Sequence, residues 1–114
     1  SRYYNKIFDY REKGLDGDDL PSHEDMKRHD DLYKYVVVVG HNAWKPESGA
    51  GSCIFLHMWG GPNSYTAGCT AMSEMNILQL MSVLDIEKNP VMVTLTRKNY
   101  LRLREEWGLP EVSI

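Results

Sequence analysis

Only two cysteines, Cys53 and Cys69, occur in the 114 residues, and neither belongs to a CxxC pair. That is too few for a disulfide framework and the wrong spacing for a zinc or dithiol redox site. Long apolar runs are also missing. The strongest, 35–39 and 53–58, are strand-sized and fall far short of the roughly 20 residues that span a bilayer. Charge of one sign is not in excess: 13 basic and 16 acidic residues are interspersed for a formal charge of −3. Neither nucleic acid nor an anionic membrane surface has an electrostatic reason to bind such a chain. Repeats, low-complexity tracts and a signal peptide are absent from it too, and it opens on Ser1, which suggests a processed product or a piece of something longer.

With 42% hydrophobic residues, the length suits one domain, 1–114, with a modest core. Its pattern predicts a mixed, β-rich α+β fold. The β-branched run 33–40, YKYVVVVG, reads as a strand buried on both faces; 52–59, SCIFLHMW, as a second strand with Cys53, Phe55 and His57 on one face; and 90–96, entered through Pro90, as a third. Cys53 is expected in the core. Ser73 can cap a helix carrying Met75, Ile77, Leu78, Leu80, Met81 and Leu84, and 97–110 reads as a second amphipathic helix stopped at Gly108 and Pro110. The charged segment 9–31, broken by Gly14, Gly17 and Pro21, reads as a surface loop running into a short helix capped at Ser22. His23 and His29 lie six residues apart, on different helical faces, so no chemistry is assigned there. His41, at a strand end, is read first as a bond to a neighbouring loop.

The stretch 55–72, FLHMWGGPNSYTAGCTAM, is the informative one. It leaves a strand at His57 and, twelve residues later, delivers Cys69 close to the start of a helix. A thiol of pKa about 8.5 is mostly protonated at neutral pH, and a helix N-terminus or an imidazolium favours its thiolate. Small residues Ala67 and Gly68 leave backbone amides open around the sulfur, where they can hold an oxyanion. Acyl transfer is the reaction class such a site serves. Spacing alone leaves a second reading open, in which Cys69 packs under the helix and His57 is a satisfied core histidine.

The string CIFLHMWGGPNSYTAGCTAM resembles the signature of the L,D-transpeptidase catalytic domain family (YkuD-type). Thr66-Ala67-Gly68-Cys69 matches its Ser/Thr-x-Gly-Cys motif and His57 its upstream histidine. The segments YYN, MKRHDDLYKYVVVVGHN, GAGSCIFLH and WGLP are similar to one Gram-negative subgroup, so the resemblance runs over nearly the whole chain. It departs in places. Ala67 and Ala71 stand where many members have a second histidine and an arginine, Met58 follows the histidine where glycine is common, and the family's domain normally begins earlier, which implies that some N-terminal strands are absent.

The resemblance implies a periplasmic peptidoglycan enzyme without metal or cofactor, acting on stem peptides. Cys69 would attack the bond between diaminopimelate and D-alanine, and an amine or water would resolve the thioester. It implies Cys69 as nucleophile, His57 as general base and then acid, the Met58 carbonyl as orienter of the imidazole, and the Gly68 and Cys69 amides as oxyanion donors. Thr66 belongs to the motif, while Trp59, Asn63, Tyr65 and Thr70 are candidate groove walls by adjacency. A papain-like peptidase uses the same pair, but there the cysteine precedes the histidine. The remaining alternative is a non-catalytic wall-binding or protein-interaction module of the same fold.

Overall fold

The computed structural model describes residues 1–20 and 22–113, so the chain break expected at Pro21 lies outside the described residues. The backbone forms two compact units, Ser1–Leu84 and Asp85–Ile114.

The first unit is built on a three-stranded mixed sheet: β1 (Val36–Val38), β2 (Phe55–Met58) and β3 (Thr70–Met72), with β2 in the middle. β1 runs antiparallel to β2, with Val36 opposite His57 and Val38 opposite Phe55. β3 runs parallel to β2, with Leu56 opposite Thr70 and His57 opposite Ala71. Backbone bonds extend both pairings: Val39 N–H donates to the Ile54 carbonyl, and Trp59 N–H to that of Met72. Position explains burial. Phe55, Leu56 and His57 on the central strand are buried, whereas Val38 is 52% exposed on the edge strand. The expectation that 33–40 is buried on both faces is therefore corrected, because β1 has a neighbour on one side only.

Helix α1 (Glu74–Val83) follows β3 and packs against β2. It starts where the sequence places it: Ser73 is extended and its hydroxyl accepts the Asn76 N–H at 3.3 Å, satisfying an amide that the first turn leaves open. Of its apolar stripe only Ile77 is fully buried, while Met75, Leu78 and Met81 are exposed. Lys34 reaches Glu74 in the first turn at 3.1 Å, an exposed pair that contributes little.

Two expectations fail in this unit. Residues 22–31 hold no helix; side-chain carboxylates capture the backbone instead, with Asp25 accepting the Lys27 N–H and Asp30 that of Leu32. Such local bonds offer the chain an alternative to the helical ladder. The regular turn is earlier, a 3₁₀ turn at Arg11–Lys13 closed by Gly14. Cys53 is not a core strand residue either. It sits two positions before β2, half-buried, in the left-handed region at φ 54°.

The second unit holds a 3₁₀ turn at Ile86–Lys88 and helix α2 (Arg97–Leu103), capped by Thr96, whose hydroxyl accepts the Asn99 N–H. The strand expected at 90–96 does not form, and Val91 is 84% exposed. A β-branched run forms a strand only where a neighbouring strand completes its ladder, and Pro90 supplies no donor. The sheet's third strand is Thr70–Met72 instead, so α+β holds while β-rich does not: helical residues outnumber strand residues. Among the described residues no helix is long and apolar enough to cross a membrane.

Candidate active site

Parallel pairing of Leu56 with Thr70 brings the residue before each, Phe55 and Cys69, side by side at the start of β2 and β3. Period two then puts Cys69 on the face that carries Phe55 and His57. Cys69 and His57 open onto one groove of about 840 Å³. The cysteine thus precedes a strand and not a helix, since β3 intervenes before Ser73, and the expected place close to the start of α1 is corrected accordingly. The Phe55 N–H points at the Cys69 Sγ at 3.4 Å, and the thiol in turn donates to the Cys53 carbonyl at 3.5 Å.

His57 is 6% exposed. Its Nδ1 lies 2.6 Å from the Met58 carbonyl oxygen, which can only accept, so Nδ1 carries a proton and the neutral ring has its lone pair on Nε2. The tautomer of the neutral imidazole is thereby set by its own neighbour. Among the described residues no hydrogen bond joins the Cys69 Sγ to His57. The resting thiol proton points at Cys53 instead.

The turn before the cysteine is tied by one hydroxyl. Thr66 Oγ1 donates to the Cys69 carbonyl at 2.5 Å and accepts the Gly68 N–H at 3.3 Å. Gly68 has φ 152°, where a side chain is strained even though the space beside it is open. Its amide is therefore held by a long, weak bond that a stronger acceptor can displace.

Of the proposed groove walls, Tyr65 and Thr66 line the groove, Tyr65 on an exposed rim, while Trp59, Asn63 and Thr70 do not. Thr70, beside Leu56, points to the opposite sheet face from Cys69.

Sequence reasoning missed the other wall. The charged segment read as solvated surface contributes Leu20, Glu24 and Arg28 to the groove, and Tyr33 joins them. The Tyr33 ring meets His57 edge to face at 4.8 Å and Phe55 at 6.0 Å. Its hydroxyl donates to Glu24, and the Arg28 guanidinium lies over its face while bonding Asp30 through two nitrogens. Burial first, then the Glu24 bond and the nearby Glu24 and Cys69 charges, push the Tyr33 phenol well up from its ordinary value. Asp30 is drawn down to about 2, chiefly by its hydrogen bond with Arg28.

Two asparagines hold the approach to β2. Asn5 accepts the Cys53 N–H at 2.8 Å while donating to the Asn42 carbonyl at 2.7 Å, and Asn42 donates to the Gly51 carbonyl at 2.7 Å. His41 bonds the Ala50 carbonyl at 2.6 Å, a loop contact away from the groove. Among the described residues no three His, Cys, Asp or Glu side chains gather to hold a metal ion.

No family model, curated protein or solved structure matches the chain.

Proposed function

We propose that the chain is a cysteine acyltransferase of the L,D-transpeptidase type, acting in the periplasm on peptidoglycan stem peptides at the bond between diaminopimelate and D-alanine. One observation carries the reading: a Thr-x-Gly-Cys turn and a histidine whose Nδ1 is engaged by the Met58 carbonyl open onto the same groove. The motif resemblance supplies the substrate, and the geometry supports the chemistry.

The Cys69 thiol turns from the Cys53 carbonyl and passes its proton to His57 Nε2. The thiolate attacks the amide carbonyl, forming the C–S bond, and the oxyanion takes the Cys69 amide and the Gly68 amide released from Thr66. The protonated imidazole gives its proton to the leaving D-alanine nitrogen as the C–N bond breaks. An amine from a second stem, or water, then loses a proton to His57 and displaces the sulfur. The first acceptor yields a cross-link and the second trims the stem.

The unmade bond between Cys69 and His57, together with Ala67 and Ala71 in place of polar groups, favours a second reading: a non-catalytic module of the same fold that binds wall or protein. Intact-protein mass spectrometry after incubation with a carbapenem separates the two. The enzyme reading expects one covalent adduct that is absent from Cys69→Ala. A folded protein without an adduct supports the module.

A further inference from the structure

Cys53 has no part in the chemistry above, yet it lies beside the nucleophile. Sixteen positions apart in sequence, the two cysteines converge where β2 and β3 begin, and both line the groove. Cys69 Sγ stands 3.5 Å from the Cys53 carbonyl oxygen. A carbonyl oxygen lies about 2.4 Å from its own Cα by standard backbone geometry, so the sulfur is within roughly 6 Å of the Cys53 Cα. The sulfur lies about 2.8 Å from its own Cα, so this contact bounds the Cα separation at roughly 9 Å; a disulfide needs about 4.4–6.8 Å, which side-chain rotation and movement of the loop before β2 must together reach.

Three further observations point the same way. Both cysteines are free and half-buried, open to small reagents from the groove. Cys53 is held in the left-handed region at φ 54° by Asn5, an uncommon conformation for a residue with a Cβ and one that clusters at functional sites. The two thiols also feel each other. Burial first, then the Glu24 and Cys69 charges, push the Cys53 thiol up, and the Phe55 N–H points at the Cys69 sulfur.

We propose that Cys53 is the resolving partner of an oxidation site at Cys69, and that peroxide converts the pair into a reversible intramolecular disulfide that shuts the nucleophile off. The proposal rests on Cys69 being a reactive thiol, as in the function above. The Cys69 thiolate attacks one oxygen of hydrogen peroxide; the S–O bond forms, the O–O bond breaks and hydroxide leaves, so sulfur is oxidised to sulfenic acid and peroxide is reduced. The Cys53 sulfur then attacks the Cys69 sulfur. The S–S bond forms, the S–O bond breaks, and the departing hydroxide takes the Cys53 thiol proton as water. A dithiol reductant restores both thiols by exchange.

The test treats the full chain with a small excess of hydrogen peroxide and follows intact mass, non-reducing peptide maps and later carbapenem labelling. Wild type should lose two hydrogens, yield one peptide joining Cys53 to Cys69, stay monomeric on a non-reducing gel, and label roughly tenfold less until dithiothreitol restores it. Cys53→Ser should still take the carbapenem before oxidation. After peroxide it should advance to sulfinic acid, with labelling lost beyond rescue by dithiothreitol. Circular dichroism checks that it folds, and Cys53→Ala serves if it does not. Wild type that gains oxygen without the cross-link, links between chains, or resists peroxide overturns the proposal. Labelling before oxidation reports the enzyme reading separately, so the two failures are distinguishable.

Discussion

The Tyr33 and His57 rings stand 4.8 Å apart at 63°, so the imidazole is held by an aromatic edge as well as by the Met58 carbonyl. Tyr33 is itself fixed by Glu24 and Arg28, which connects the charged segment to the imidazole. An edge-to-face pair contributes about 0.5–1.5 kcal/mol beyond its buried area. Tyr33→Ala should therefore slow carbapenem acylation by up to about tenfold, and Tyr33→Phe, which keeps the ring, by much less. Time-resolved mass spectrometry of the adduct compares them. Equal loss in both would assign the effect to the hydroxyl and Glu24 rather than to the ring.

Alkaline pH should weaken the fold. The folded state raises Cys53 above its ordinary 9.0 and Tyr33 above its ordinary 10.0, so it favours the neutral forms of both. The stability they contribute is fully present below those ordinary values and is lost as pH rises through the raised ones. Melting curves should be level from neutral to about pH 9 and fall above it, shallowly because both groups keep some solvent. In Cys53→Ser/Tyr33→Phe the fall should be smaller.

Ile77 is fully buried where α1 meets the sheet, and Phe55 and Leu56 are the other buried apolar residues among those described. With so small a core, Ile77→Ala should cost about 2–5 kcal/mol in urea unfolding, whereas Met75→Ala, at an exposed position of the same helix, should stay within roughly 0.5 kcal/mol. Similar losses at both would mean that Met75 is covered in solution.

Gly68→Ala tests the turn. Space is open beside Gly68, but its φ of 152° is strained for any side chain, at a cost of about 1–3 kcal/mol. The variant should acylate at least about tenfold more slowly with little change in circular dichroism, because the amide next to the nucleophile is displaced. An unchanged rate would remove Gly68 from the oxyanion site.

Much of this was legible in the sequence where residues act locally. Ser73 caps α1 through a bond to its own third neighbour, and β2 shows in the β-branched and aromatic run around Phe55. That His57 and Cys69 belong near one another across the GGPNSYTAG loop was suggested by the motif, and both line one groove. What escaped depends on distant partners. Thr70–Met72 is too short and too poor in β-branched residues to signal a strand, and it exists because β2 offers it a ladder; the run at 90–96 carries the better signal and has no such partner. The groove's second wall was hidden for the same reason. Glu24 and Arg28 read as solvated charge until Tyr33, whose ring meets His57, binds them beside the groove.

The most direct test of the central claim is the release of free D-alanine from a stem tetrapeptide ending in diaminopimelate and D-alanine, measured for wild type, Cys69→Ala and His57→Gln. Release by wild type, none by Cys69→Ala and a rate at least about a hundredfold lower for His57→Gln is what a cysteine acyl-enzyme with a general base predicts. Release that survives Cys69→Ala, or none from a folded wild type, would contradict it.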